Sequence, residues 1–379
     1  MGAVVVIGVA MTRFARHPDV PLDHLGREAC WAALKDAELT PRDIQAIYCG
    51  HVFQGRIVGQ QIVKGLGIAG TPVYNVENAC ASGSTALNLA WTAVASGSVD
   101  VALALGVEQL SKLGSGVIPP DQNDLEGLLG RTNPATYALM ARRHMYQYGT
   151  SIEQIAQVAV KAHEFGALNP CAQFQNRVTL EEVLGSRTIA DPITLLQCCP
   201  TGDGAAAVVI ASAEYARRKT TTPVTIAASA IVSGYPKTAG DDITMHPTTV
   251  AAAKKAYETA GIGPSDVDVA EVHDAFAIGE IVHLEDLGFC PKGEGGPYVA
   301  SGATGLHGRK PANTSGGLLT KGHPLGATGP GQIVELTCQL RGQAGARQVG
   351  APKVALAHCM GGVIFGRDAG VCTVHILKR

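Results

Sequence analysis

Neither sign of charge is in excess: among 379 residues Lys and Arg number 30 against 32 Asp and Glu. That balance points away from a nucleic-acid partner. No apolar run reaches the roughly 18 residues that a membrane span requires, so no membrane role is expected. The opening MGAVVVIGVAMTRFARH carries no positive region ahead of its short apolar run. It reads as a first strand rather than a signal peptide, and the closing HILKR differs from the peroxisomal S-K-L address. A C-x-x-C pair is also missing from the ten cysteines, two of which, Cys198 and Cys199, are neighbours. Neither a disulfide framework nor a zinc site is expected, and the compartment this implies is the reducing cytoplasm. The many glycines form no Walker A loop and no dinucleotide-binding fingerprint after the first strand, which excludes phosphate-loop chemistry.

What is present is a large apolar fraction, 46% hydrophobic residues, with 46 glycines and only 16% charged residues. Such a chain can bury one large core or two, with helices packed closely on sheets. Short apolar runs such as DVALALGV, AAAVVIA and PKVALAHC alternate with Ala-rich helical stretches. The expected class is α/β with buried strands.

The chain also repeats itself. KDAELTPRDIQAIYCG (35–50) lies over ETAGIGPSDVDVAEVH (258–273), NACASGS (78–84) over KGHPLGA (321–327), and DVALALG (100–106) over KVALAHC (353–359). Spacing between the matched pairs grows along the chain, as insertions in connecting loops would make it. Two copies of one α/β unit are therefore expected, divided as 1–222 and 223–379. The alignment sets Cys80 opposite His323, Gly50 opposite His273 and Gly106 opposite Cys359. If the copies pack about a pseudo-twofold axis, two thiols and two imidazoles converge.

Each of those residues has a structural reading beside the functional one. Cys80 sits among small residues ahead of a helical stretch, whose dipole is expected to favour a thiolate; a buried packing thiol is the alternative. His323 is locked between glycine and proline, the rigidity a preorganised site needs. His273 ends a strand and opens a helix, where site residues of α/β folds gather, though a buried or capping role stays open. Cys359 runs into glycines able to offer free backbone N–H groups. The other eight cysteines are assigned to packing, and His144 and His163, in polar helical stretches, are expected to face solvent.

Taken together, NACASGS, HDAFA, KGHPLGATG and CMGG resemble, in order and approximate spacing, the motifs of the thiolases over nearly the whole chain. HDAF, with HMYQYGT and CCPTGDGAAA, is similar to the sterol-carrier-protein-2 type and its archaeal and bacterial relatives. The resemblance implies a five-layered αβαβα fold of two similar halves, with a loop domain inserted at about 107–203. It implies acyl-CoA C-acyltransferase activity, with coenzyme A as substrate or product, no permanently bound cofactor and no metal. Cys80 would be the acylated nucleophile, His323 its base, Cys359 the acid/base at carbon or on the incoming thiol, and His273 an oxyanion donor. The backbone N–H groups of Cys80 and Gly361 would form a second oxyanion hole, and Tyr137 would border the acyl pocket. A homodimer, or a tetramer built from it, is implied. Three alternatives stay open: a β-ketoacyl synthase relative, a subunit working with a small zinc-ribbon/OB-fold partner in condensation or aldol cleavage, and a scaffold without turnover.

Overall fold

Alternation along the first strand decides the layering. Val5 and Ile7 pack outward with Leu25, Ala29, Ala33 and Leu34, whereas Val4 and Val6 pack inward with Leu87, Ala90, Ile333 and Leu336. This is the period of two that a strand buried on both faces requires.

The computed structural model describes residues 2–114, 118–218, 222–238 and 240–379. Its strands are β1 (Val4–Met11), β2 (Ala46–Gly50), β3 (Val73–Val76), β4 (Val101–Gln109), β5 (Thr188–Ala190), β6 (Ile193–Thr194), β7 (Asp203–Ser212), β8 (Val224–Ser233), β9 (Val269–Glu271), β10 (Val354–Gly361) and β11 (Val371–Lys378). The helices are α1 (Leu22–Asp36), α2 (Val58–Lys64), α3 (Ser82–Ala95), α4 (Leu125–Leu128), α5 (Asn133–Tyr148), α6 (Ile152–Gly166), α7 (Leu180–Gly185), α8 (Ala213–Ala216), α9 (Pro247–Ala260), α10 (Ala277–Asp286), α11 (Gly295–Ala300), α12 (Gly317–Thr320) and α13 (Leu325–Arg341).

Nine strands hydrogen-bond in the order β3-β2-β4-β7-β1-β8-β11-β10-β9. Read outward from the β1/β8 junction the order repeats: β1-β7-β4-β2 on one side and β8-β11-β10-β9 on the other. The pairing matches as well, with β2/β4 and β9/β10 parallel and the other pairs of these two four-strand runs antiparallel, while the extra edge strand β3 pairs parallel with β2. The junction itself is slight, Val5 with Thr225 and Val6 with Val224. Ala355, Ala357 and Leu377 from the second half join the same inner cluster as Val4 and Val6. On the opposite face Leu356, Val374 and Ile376 pack with Ala252, Ala253 and Ala256 of α9. Thus α1 lies outside one half, α9 outside the other, and α3 with α13 between them, giving five layers. The repeated segments coincide with equivalent elements. Both Pro41–Asp43 and Pro264–Asp266 are 3-10 turns opened by an Asp carboxylate that accepts the preceding backbone N–H, that of Thr40 and that of Gly263.

Candidate functional site

Two helix starts meet backbone to backbone at the centre of the inner layer. A Cβ on Gly83, in the first turn of α3, would stand 2.0 Å from the carbonyl oxygen of Gly326 in α13, and one on Gly106 would do the same. Only glycine allows this approach, and it brings the residues just ahead of each helix, Cys80 and His323, to one place. Glu108, fully buried at the end of β4, ties the junction by accepting N–H groups from Val52, Phe53 and Gly326 and the Gln54 amide.

The turn carrying Cys80 is held tightly. Ala79 adopts a left-handed φ of 48°, its N–H donates to Glu77 Oε1 at 2.7 Å, and Ser82 Oγ donates to the Ala79 carbonyl at 2.6 Å. Gly361 presses on the same turn: a Cβ there would stand 2.1 Å from the Asn78 carbonyl oxygen. Cys359, two residues earlier on β10, points its thiol at the Cys80 carbonyl at 3.3 Å, with His273 Nδ1 3.6 Å away. The His273 and His323 rings meet edge to face, centroids 5.2 Å apart. One ligand-type atom from each of Cys80, His273 and His323 lies within 4.8 Å of the others. Cys80, His273, His323 and Cys359, far apart in the chain, are thus brought together. Tyr137 joins them: it stacks on Phe276 with centroids 4.4 Å apart, and its phenol is pushed up by burial first and then by the nearness of Cys80, Cys199 and Cys359. The amides directed at the Cys80 sulfur are its own and that of Gly362, the neighbour of Gly361.

Charge states follow from enclosure. Burial first, and Glu108 second, pushes the half-buried Cys80 thiol up to about 12, so the thiolate expected from the helix N-terminus is not the resting form. Desolvation outweighs the dipole here. Burial also drives His273 down to about 3 and His323 well below the ordinary imidazole range, the latter reinforced by His273 and Lys321. Cys359 is pushed well above the ordinary thiol range by burial and then by Cys80. The resting site is therefore an uncharged thiol–imidazole set. The tautomer of His323 can be assigned. Thr328 Oγ1 spends its hydrogen on the Pro324 carbonyl at 3.1 Å, so at 2.7 Å it accepts from His323 Nδ1–H. The Nε2 lone pair is left free for the site.

Three side chains at or beside the site escaped sequence reasoning. Cys199, assigned to packing, is raised by burial and then by the nearby Cys80 and Cys198, and its N–H donates to the Ala275 carbonyl at 2.9 Å. Its only signal was the CCPTGDG stretch. Glu108 announced itself as a carboxylate inside an apolar strand. Asp274, next to His273, accepts the Leu318 N–H at 2.7 Å through Oδ1, while its buried Oδ2 is unpartnered. Burial pushes its carboxyl up to about 8, which makes it a neutral acid. Two expectations are corrected. His144 and His163 do not face solvent: His144 is fully buried between Thr150 and Glu285, and His163 is buried with Nδ1 on the Asn176 carbonyl and its ring on Phe174. Their helices pack under further segments that local polarity does not reveal.

Enclosure of so many titratable groups has a measurable consequence. Burial lowers His246 and His375 to about 4 and His273 to about 3, and lowers His283, His323 and His358 as well. It raises Asp274 to about 8 and Asp286 to about 7, and raises Glu108 and Glu271. A depressed imidazole stabilises the fold above its unfolded value of about 6.5 and loses that contribution as pH falls through the folded value. A raised carboxyl does the reverse, stabilising below about 4 and losing the contribution as pH rises through the folded value. With His51 and His163 lowered by burial as well, eight imidazoles against four carboxyls predict a net loss on acidification below pH 6.5. Between pH 6.5 and 8 only the carboxyl loss remains, so stability is expected to peak near pH 6.5. Each unbalanced proton gives a slope of about 1.4 kcal/mol per pH unit. Calorimetric melting from pH 4.5 to 8.5 checks this, and Asp274→Asn should flatten the alkaline limb.

A half-buried cysteine beside two imidazoles and a second, buried thiol, set where two α/β halves meet, is the kind of constellation that acyl-transfer chemistry uses. Residues 4–214 match the family model for the thiolase N-terminal domain, and residues 229–374 match that for the thiolase C-terminal domain-like region. The chain is 43% identical to an acetyl-CoA acetyltransferase of Methanothermobacter thermautotrophicus, covering 100% of both chains. It is 40% identical to sterol carrier protein 2 of Gallus gallus, covering 94% of this chain and 69% of the relative. Among solved structures the Ltp2-ChsH2(DUF35) aldolase superposes with a TM-score of 0.88 at 29% identity, over 100% of this chain and 98% of that one. The chain belongs to the thiolase family and is an acyltransferase. Among the described residues no helix is long and apolar enough to cross a membrane.

Proposed function

We propose that this acyltransferase cleaves a 3-oxoacyl-CoA with coenzyme A, or in reverse condenses two acyl-CoAs, through an acyl group carried on Cys80. The convergence of Cys80, His273 and His323 within 4.8 Å, with Cys359 beside them, carries the reading. In the cleavage direction His323 Nε2 takes the Cys80 proton as the sulfur attacks the 3-oxo carbon. A thioester is itself an activated acyl donor, so one difficult exchange becomes two easier ones. The tetrahedral oxyanion is received by the backbone N–H groups of Cys80 and Gly361, with Gly362 close by, each such donor contributing about 3 to 4 kcal/mol. Breaking the C2–C3 bond leaves an enolate on the departing acyl-CoA. Cys359 gives its thiol proton to that carbon, leaving a thiolate, and His273, with Nε2–H turned to the substrate, binds the enolate oxygen. The thiol of coenzyme A then gives its proton to the Cys359 thiolate as its sulfur attacks the acyl-Cys80 thioester, the released Cys80 thiolate recovers its proton from His323, and no permanently bound cofactor is required.

His273→Ala is expected to lower kcat roughly a hundredfold to a thousandfold while leaving the melting temperature and acyl-CoA binding nearly unchanged, because an oxyanion donor acts where charge develops. A merely structural His273 would instead lower stability by about 1 to 3 kcal/mol with activity per folded molecule retained. The reading as a whole is tested by following acetoacetyl-CoA absorbance with coenzyme A, then longer or branched 3-oxoacyl-CoAs. Absence of turnover with all of them overturns it.

The same reading divides the chain at 222/223 with a loop domain at about 107–203, and assigns Tyr137, with Phe276, to the wall of the acyl pocket. It places the protein in the cytoplasm and makes it a homodimer, or a tetramer of two such dimers. The outer strand β3, whose Tyr74 is half exposed, offers an unpaired sheet edge to a second copy. A second reading is favoured by the likeness to the Ltp2-ChsH2(DUF35) aldolase: a subunit that acts with a small zinc-ribbon/OB-fold partner. Turnover by the purified chain alone separates the two.

A further inference from the structure

We infer that Cys80, His273 and His323 also form a binding site for a thiophilic divalent cation of the zinc class, whose occupation blocks the enzyme reversibly and shields the Cys80 thiol. The block, though not the site, rests on the acyl-transfer reading above. Among the described residues this is the group of His, Cys, Asp and Glu side chains whose ligand atoms come within 4.8 Å of one another. One sulfur and two imidazole nitrogens make a donor set that zinc takes readily, and three protein ligands leave the fourth tetrahedral position open. Bonds of about 2.3 Å to sulfur and 2.0 Å to nitrogen set ligand atoms roughly 3.3 to 3.7 Å apart, so no pair has to draw in by more than about 1.5 Å.

The outer contacts have the form a metal site needs. His323 is oriented by its Nδ1–H donating to Thr328 Oγ1 at 2.7 Å, which aims Nε2 into the site; a ligating histidine is ordinarily held through its other nitrogen in this way. His273 has Nδ1 against Cys359 Sγ at 3.6 Å. Glu108 and Glu77 lie near enough to Cys80 to act on it, which favours a cation, and Lys321, the buried ammonium that acts on His323, is paired with Glu271 at 3.3 Å.

Binding balances without any redox step. The Cys80 S–H bond breaks and its proton goes to solvent, a sulfur–metal bond forms, and two nitrogen lone pairs displace waters of the hydrated ion. His273 must present a bare Nε2 to the metal, with Nδ1–H turned to Cys359. As oxyanion donor it must instead carry its proton on Nε2. Metal and acyl substrate therefore need opposite tautomers of one ring and the same sulfur, so they exclude one another.

The test uses the whole protein freed of metal by a chelator, with Co2+ as the spectroscopic probe. One equivalent is expected to give visible bands of tetrahedral cobalt together with a near-ultraviolet sulfur-to-cobalt band. Cys80→Ser should lose the sulfur band, and Thr328→Val should weaken binding about 10–100-fold. Wild-type protein alkylated on Cys80 should give neither band, which keeps the test decisive if a variant fails to fold. Zn2+ should slow iodoacetamide labelling of Cys80 at least tenfold, with the rate restored by chelator, and should inhibit competitively with acyl-CoA. Cobalt bands that survive alkylation of Cys80, or active protein that gives none, overturn the site. Cobalt bands in protein that turns over no 3-oxoacyl-CoA leave the site standing and overturn the acyl-transfer reading instead.

Discussion

Cys80→Ser is expected to lower thiolysis of acetoacetyl-CoA by at least about ten-thousandfold, the scale on which enzymes lose rate when a nucleophile is removed from a set that acts as a unit. The hydroxyl is a poor replacement for two reasons that the geometry supplies. Even the thiol is pushed up to about 12 by burial, so on the proposed reading His323 removes its proton in step with attack, and an alcohol in that enclosure is far harder to ionise. An oxygen ester would also be a weaker acyl donor to coenzyme A than the thioester it replaces. The turn itself should survive, because its hydrogen bonds run through Glu77, Asn78, Ala79 and Ser82 rather than the Cys80 side chain. Mass spectrometry after incubation with labelled acetyl-CoA, beside a melting curve, checks both halves of the expectation. A folded Cys80→Ser protein that retains even a hundredth of wild-type turnover would remove Cys80 as nucleophile.

Cys359→Ala is expected to keep the covalent step and lose the chemistry at carbon, with cleavage and condensation falling by about a thousandfold or more. General acid–base groups contribute roughly 10²–10⁴-fold, and a carbon acid without a positioned proton donor belongs at the upper end. Cys359 makes no covalent bond in this scheme; its thiol touches the Cys80 carbonyl and His273. Alanine leaves the Cys80–His323 pair in place, so the variant should still be acetylated by labelled acetyl-CoA at a rate within tenfold of wild type. The two variants thus separate in a single labelling gel. Equal labelling of both, or of neither, would sink the division of labour between the thiols.

Local signals made much of this legible. Period-two alternation, Gly and Pro at turns, and internal repetition are properties of short segments, and they pointed to the α/β layers and to the matched pairs Cys80/His323 and Gly106/Cys359. Whether the glycine-lined starts of α3 and α13 would pass within backbone contact is not a segment property. It depends on Gly83, Gly106 and Gly326 meeting across two halves of the chain.

The same distinction separates the expectations that needed correction. His144 and His163 sit in stretches of polar composition, yet each is covered by segments remote in sequence. Cys199 comes beside Cys80 only through tertiary packing, its N–H held on the Ala275 carbonyl. Sequence by itself determined the residue types able to do the chemistry and the turns that make each one rigid, because those are set by neighbours along the chain. The tertiary structure alone decided that four of them share one enclosure, which thiol is reached from outside, and that the resting set is uncharged. Burial and distance sum over atoms brought together from the whole fold, and the free energy of a charge depends on that sum.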